Sequence, residues 1–349
     1  MMRAIQKRAT GTDGTDLHEV DVPDTTTGEV VIRVRASSVC ASDIHLYHDE
    51  MPCIMPLVLG HEFTGVVEAI GDGVDNVEPG DAVVAVNNPH ACGTCPVCKD
   101  GYPNVCPEKR ALGFGRDGAF AEYIRVPAYA LHKVPDNVSP LAAALCEPLA
   151  VSVHAVEDRC GIREGDTVVV MGPGAIGLLE AQVARAEGAG RVIVAGTDVD
   201  VDLRLARATE LGFEVCNVQQ ENIEERVMDV TGGFGADVVI EAAGKAPAIA
   251  AGIRVLRRGG RMAVSGIVGI EEISVPWDGL VCKAATVTFA YSSRPRNWET
   301  GLRYLSEGKV VTEPLISHTF DLGDWREAFG LMEKAACIRS VFTLDESLA

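Results

Sequence analysis

Four cysteines, Cys92, Cys95, Cys98 and Cys106, fall within fifteen residues of one another. Thiolates at that spacing can close a tetrahedron around Zn²⁺ and leave no position open, an arrangement that holds structure rather than performs chemistry. Their neighbours Gly93, Pro96, Gly101, Pro103 and Pro107 could hardly build a core, so a metal would act there as a staple. A disulfide framework is the competing use of cysteine. The opening residues MMRAIQKRAT contain no apolar leader, so a reducing, cytoplasmic setting is expected, in which clustered cysteines bind metal. Of the remaining cysteines, Cys53, Cys160, Cys216, Cys282 and Cys337 show no ligand spacing and read as core.

A second motif, Gly172-Pro-Gly174-Ala-Ile176-Gly177, follows the apolar run TVVVM and precedes a helical stretch. In that setting the first glycine permits a tight turn and the second lets backbone approach a pyrophosphate. The third lets helix and strand pack closely, and the diphosphate rests on free N–H groups at the helix start. A third signal is dispersed over Cys40-Ala-Ser42-Asp-Ile-His45, Gly60-His61-Glu62 and Glu147-Pro148. Each piece alone is bland: a core thiol, a surface ion pair. Together they hold the Cys, His and carboxylate donors that a catalytic zinc takes, with a position left for substrate.

These side chains need elements to hold them. Short β-branched runs at 30–34, 65–70, 82–86 and 121–126, separated by Gly, Pro and Asp, make the first 150 residues β-rich. From about 160 the texture changes. Strand-like runs at 167–171, 191–195, 237–241, 261–266 and 286–290 alternate with helical stretches, beginning with 176–187. That alternation predicts βαβ units and a parallel sheet, an α/β domain. A helix at 298–307, an extended segment at 315–320, a helix at 324–334 and a strand near 340–344 complete the chain.

The composition of 349 residues is 47% apolar and 5% aromatic, so Val, Ala, Leu and Ile must build the core. No apolar run reaches the roughly 20 residues that span a bilayer. The net charge is −19, and eight of the 31 cations are lysines. A field of that sign repels nucleic acid and anionic membrane, so neither is expected as a partner. The acid excess suits either an ordinary solvated surface or a salty cytoplasm.

The motifs, taken in order, resemble the zinc-containing medium-chain dehydrogenase/reductase family, in its sorbitol (polyol) and threonine dehydrogenase branch. CASDIHLY, GHEFTGVVEAIGDGV, the four-cysteine lobe, DGAFAEYIRVP, EPLAVSVHAV, MGPGAIG, GADVVIEAAG, LRRGGRMAVSGIVG and EPLISHTFDLGDWREAFGLMEK carry the resemblance along nearly the whole chain. It implies a GroES-like β-barrel catalytic domain over 1–155, with the zinc lobe at about 88–110. A Rossmann doubly wound parallel-sheet domain would cover 156–290, and 291–349 would return to the first. It also implies hydride transfer between a secondary alcohol, often of a polyol or sugar, and a nicotinamide cofactor. Threonine-like amino-alcohol oxidation is the alternative within the branch, and a non-catalytic NAD(P)-binding regulator the alternative of another class.

Carried over by motif, Cys40 and His61 ligate catalytic zinc. Glu62 is a further ligand, and Glu147 either ligates or holds the metal's water; Cys146, beside it, is the less favoured candidate. Ser42 and then His45 relay the proton, and two zinc ions per chain follow, together with assembly as a homodimer or homotetramer. Tyr47 is a pocket candidate. Arg294 and Arg296 could meet a carboxylate or phosphate, although surface ion pairing suits them better. The acid that selects NAD stands about 20 residues past the glycines. Here that position is Gly196, followed by Thr197, and Arg204 lies within reach of a 2′-phosphate. Asp198, Asp200 and Asp202 crowd the loop between and pull the other way. The missing acid tips the expectation slightly toward NADP.

Overall fold

The run TVVVM forms the strand Thr167–Met171 inside a six-stranded sheet of the computed structural model, which describes residues 1–345 and 348. The order across this sheet is Glu214–Asn217, Arg191–Gly196, Thr167–Met171, Ala236–Glu241, Leu256–Val264 and Thr286–Phe289. Every pairing is parallel. Such strands are buried on both faces and read as continuous apolar runs rather than alternating ones. Val169, Met171, Ile193, Ala195 and Val239 accordingly lie in one core cluster. Numbered along the chain the order is 3-2-1-4-5-6, so the first strand of the set sits where the winding reverses. Its following turn is where such sheets bind dinucleotides. The sheet belongs to a compact unit of Pro148–Ser293 with Gly308–Val310.

A second unit comprises Met1–Glu147, Arg294–Glu307 and Val311–Ala349. Its strands Met2–Lys7 and Thr15–Val20 pair antiparallel, with Leu57–Val58 on the other side of Met2–Lys7. The larger sheet runs Ile316–Phe320, Arg339–Thr343, Glu29–Ser38, Glu62–Ile70, Ala82–Ala85, Leu131–Lys133, and Tyr123–Pro127 also pairs with Glu29–Ser38. Ser38 faces Glu62 on one side and Val341 on the other, so the chain's last strand is registered against its first long one. One core here is aliphatic, with Val30, Ile32, Val67, Val83 and Ile124. The few aromatics gather elsewhere: Phe120, Trp325, Phe329 and Phe342 pack edge to face in a second cluster.

The structure adds elements that the sequence pattern did not reveal. The hairpin of Met2–Lys7 and Thr15–Val20 has no alternating apolar signal in its second strand, and Glu214–Asn217 is too short to show one. The helix Cys146–Val153 continues as a π-helix through His154–Cys160, so a boundary at 155/156 lies inside one helix. Pro148 sits in the first turn of that helix, where its missing N–H costs nothing, and so does not mark a break. The units instead divide at Glu147 and Pro148. No helix among the described residues is long and apolar enough to cross a membrane.

Glu180, on the helix Ala175–Ala186, is fully buried, and neither carboxylate oxygen has a hydrogen-bond partner. The Ser265 hydroxyl donates instead to the Glu241 carbonyl at 3.2 Å. Burial, reinforced by the nearby Glu241 charge, pushes the Glu180 carboxyl up to about 8 from an ordinary 4.5. Between those values the folded chain keeps a proton that the unfolded chain releases, so stability falls as pH rises through that window. Glu180→Gln should therefore raise the Tm at pH 9, by an amount corresponding to about a few kcal/mol, and change it little at pH 5. Thermal unfolding at the two pH values checks this. Equal shifts at both would contradict it.

Candidate active site

The cysteine lobe lies in the unit that contains both termini. Cys95 precedes the short helix Pro96–Lys99, and its N–H donates to Cys92 Sγ at 3.3 Å, while the Cys92 N–H donates to Cys106 Sγ at 3.4 Å. The four sulfur atoms lie within 4.8 Å of one another, and no cysteine is in a disulfide among the described residues. Three of their separations are 3.6 Å (Cys92–Cys106), 3.9 Å (Cys92–Cys98) and 3.9 Å (Cys95–Cys106). A tetrahedron with Zn–S bonds of about 2.3 Å has edges of about 3.8 Å, so the donors fit that metal as they stand. Backbone N–H groups of Thr94 and Cys95 hold the Cys92 thiol down to about 6. Cys98 is pushed up to about 12, by desolvation first and then by Cys95.

The dispersed donors also meet. Cys40 caps the helix Ala41–Tyr47, and its N–H donates to Asp43 Oδ2 at 2.9 Å. His61 immediately precedes, and Glu62 opens, the strand Glu62–Ile70, which the Ser38 pairing sets beside Cys40. One donor atom each from Cys40, His61 and Glu62 fall within 4.8 Å of one another. His61 Nδ1 stands 3.3 Å from Asp43 Oδ1, which leaves Nε2 as the ring's donor atom. Burial opposes an imidazolium at His61, but Asp43 and Cys40 outweigh it and raise its pKa. Glu62 is fully buried. Its Oε1 pairs with Arg339 Nη1 at 3.2 Å and its Oε2 has no partner. An orphaned buried carboxylate oxygen beside a thiol and an imidazole is the donor chemistry of an open zinc site, so this set fits too.

Glu147 is not one of the trio, but its carboxylate lies close enough to respond to it. Burial, then the Glu62 charge, raises it to about 7, and Asn87 Nδ2 donates to its Oε1. Cys146 is fully buried and outside the trio; burial and Glu147 push its thiol up. Ser42 Oγ stands 3.8 Å from Cys40 Sγ. His45 is exposed and its Nδ1 meets Glu50 Oε2 at 2.5 Å. Tyr47 packs edge-on against Trp325 and Phe329, and Arg294 lies over the Tyr102 ring at 4.2 Å. Asp43, Asn87 and Arg339 are the residues that sequence reasoning missed. Asp43 could have been found as the third residue of a helix start, whereas nothing local marks Arg339.

The glycine turn has the shape its spacing predicts. Gly172 adopts φ +108°, and a Cβ there would meet Ala243 backbone at 2.8 Å. A Cβ on Gly177 would strike the Gly172 carbonyl at 2.0 Å, so helix and turn pack without room for a side chain. A Cβ on Gly174 would meet nothing within 4 Å, leaving open backbone where a diphosphate would approach. Ile176 is half-buried in the first turn of the helix. Gly196 ends its strand, and Thr197 begins a turn in which Arg204 Nη1 meets Asp200 Oδ1 at 2.9 Å.

Residues 26–136 match the family model of the alcohol dehydrogenase GroES-like domain, and residues 175–307 that of zinc-binding dehydrogenases. The sorbitol dehydrogenase of Halalkalibacterium halodurans is 37% identical over 343 residues, 98% of this chain and 99% of that one. This chain belongs to the zinc-containing medium-chain dehydrogenases. The L-threonine 3-dehydrogenase of Pyrococcus horikoshii is 35% identical, over 98% of this chain and 99% of its own. Among solved structures, the alcohol dehydrogenase TADH from Thermus sp. ATN1 matches with a TM-score of 0.88 at 31% identity, covering 98% and 99% of the two chains. The fold is GroES-like plus Rossmann, and the dehydrogenase works on an alcohol with a nicotinamide dinucleotide.

In the cysteine lobe, Cys95→Ser takes away one of four thiolates from a region with little core. It should lose about one zinc per chain by atomic emission and lower the Tm. Unaltered metal content and Tm would count against a metal in the lobe.

Proposed function

We propose that this dehydrogenase oxidises a secondary hydroxyl of a polyol or sugar, using two zinc ions per chain. The observation carrying the catalytic reading is the trio of half-buried Cys40 and buried His61 and Glu62, three donors rather than four, with Asp43 behind the imidazole. Cys40, His61 and Glu62 would hold the catalytic ion, with Glu147 beside it, and Cys92, Cys95, Cys98 and Cys106 the structural one. When bound, zinc polarises the substrate hydroxyl and the nicotinamide ring accepts hydrogen with its electron pair. The other changes are losses from the alcohol: its C–H and O–H bonds break, a carbonyl forms, and a proton departs.

Ser42 suits the role of first proton acceptor, being two residues from Cys40 with its hydroxyl near that sulfur. His45 lies three residues further along the same helix and therefore on the same face. With Nδ1 held by Glu50, its Nε2 is left to accept the proton and pass it to solvent. A regulator without turnover would have no need of an open donor set, which disfavours that alternative. The relatives include both sorbitol and threonine dehydrogenases. We favour the polyol because the sorbitol dehydrogenase is the more similar of the two.

We also infer a homodimer or homotetramer. Thr286–Phe289 is an edge strand with Phe289 exposed, and Ile267, Ile270, Trp277 and Val281, from the segments preceding it, are exposed as well. Light scattering should give a mass of two or four chains, and a monomer mass would contradict this.

The catalytic assignment is tested by turnover on a panel of polyols, aldoses, threonine and simple secondary alcohols. His61→Ala should abolish turnover with the fold retained, and Ser42→Ala should slow alcohol oxidation by about 10²–10⁴. Wild-type kcat in His61→Ala would sink the metal mechanism, and equal kcat for Ser42→Ala from pH 6 to 10 would remove Ser42 from the proton path.

A further inference from the structure

The loop after Gly196 contains three aspartates and one arginine whose arrangement bears on the adenosine end of the cofactor. Asp198 turns toward the next strand end, where its Oδ1 accepts from Asn217 Nδ2 at 2.7 Å and Gln220 Nε2 at 2.9 Å. Asp202 is exposed. Asp200 alone is buried, at 6% exposure. Its Oδ2 accepts from both the Thr197 N–H and the Thr197 hydroxyl at 3.0 Å, and its Oδ1 from Arg204 Nη1 at 2.9 Å. These bonds fold the loop of residues 197–204 back on itself. A Cβ built on Gly196 would stand 3.2 Å from Asp200 Oδ2 and 2.8 Å from Pro173 Cγ, inside the glycine turn. The carboxylate of Asp200 thus lies against the position whose own side chain is missing, next to the diphosphate-binding turn.

We infer that Asp200 supplies, from four residues further along the chain, the acid that Gly196 lacks, and that the enzyme prefers NAD over NADP. This rests on the dinucleotide reading above. A carboxylate at the end of this strand accepts from the ribose 2′-hydroxyl and repels a 2′-phosphate. Asp200 has that place, and a carboxylate offers about four acceptor sites, of which three are filled. The Thr197 hydroxyl, having donated to Asp200, still presents lone pairs of its own. Arg204, the cation that would receive a 2′-phosphate, is committed to Asp200, and Arg207 to Glu210 at 2.6 Å. A phosphate arriving here would have to displace an ion pair and remain beside the released acid. The expectation of NADP rested on the missing acid at Gly196 and on Arg204, and against it stand the buried Asp200 and its ion pair with that arginine.

The experiment is calorimetric titration of NAD⁺ and NADP⁺ without substrate, which reads binding rather than turnover. The wild type should bind NAD⁺ at least about tenfold more tightly. Asp200→Asn should cut that ratio by about tenfold, whereas Asp202→Asn, which removes the same charge from an exposed position nearby, should shift it by less than about twofold. Arg204→Ala should leave the ratio within about twofold of the wild-type value. Equal or tighter NADP⁺ binding by the wild type would overturn the inference. So would an Asp202→Asn effect as large as that of Asp200→Asn, or selective loss of NADP⁺ affinity in Arg204→Ala. If Asp200→Asn fails to fold by circular dichroism, the wild-type and Arg204→Ala ratios decide alone. Binding of neither nucleotide would bring down the dinucleotide reading itself, and the inference with it, a result distinct from a reversed ratio.

Discussion

The catalytic half of this protein depends on one buried cation, Arg339. Its guanidinium is 3% exposed, meets Glu62 at 3.2 Å and donates to the Val39 carbonyl at 2.9 Å. Burial disfavours that charge, yet Glu62, Cys40 and Glu147 more than restore it and raise its pKa. Without it, Glu62 would be a carboxylate in the protein interior facing two more acids, and stranding a buried charge in this way is strongly destabilising. The need reaches far along the chain. Arg339 lies two residues before Val341, Val341 pairs with Ser38, and Ser38 pairs with Glu62. The return of the C-terminal strand to the first long strand is therefore what permits an acid to stand beside Cys40 and His61. Arginine rather than lysine suits the place, because its planar fork reaches a carboxylate and a carbonyl together.

The two candidate metal sites divide labour by donor type and by how they are built. The thiolate lobe comes from one stretch of chain, and its sulfurs are positioned by local N–H donors and a four-residue helix. The bonds that position those sulfurs come from within the lobe itself. The Cys40, His61 and Glu62 set draws on a helix cap and the start of a strand, with the cation from the last strand behind it. It forms only when the sheet has the correct register. A closed local site suits stabilising a segment without a core, and an open site assembled by the fold suits chemistry.

That difference also explains what was legible in the sequence. The lobe and the glycine turn are short motifs whose geometry is set within a few residues, and both have the expected shape. Cys40, His61 and Glu62 were found because a family resemblance linked distant motifs; spacing alone could not have joined them. Arg339 escaped because no local pattern distinguishes a buried arginine from a surface one in a short strand. Asp43 lay in plain view inside CASDIH but looked like an ordinary helix-start acid, which it also is. The strands of the parallel sheet were readable because burial on both faces leaves unbroken Val and Ile runs. Glu214–Asn217 was not, since a four-residue strand at the rim has too little apolar content to stand out.

The overall charge of −19 and the charge of the site are separate matters. On the surface, acids outnumber bases, and the field discourages polyanions. Within the site, Asp43, Glu62 and Glu147 are buried beside the half-buried Cys40, which must be a thiolate to ligate. Against them stand Arg339 and, when protonated, His61. A metal-ligating imidazole is neutral, so loading the site removes that second positive charge and leaves the acids with Arg339 alone. Negative charge contributes to both raised pKa values: Asp43 and Cys40 act on His61 against its burial, and the Glu62 charge adds to burial at Glu147. A divalent ion would set positive charge against those acids, with His61 Nε2 and the unpartnered Glu62 Oε2 among its donors. The electrostatic excess and the orphaned oxygen thus make the same demand, for a small dication among Cys40, His61 and Glu62.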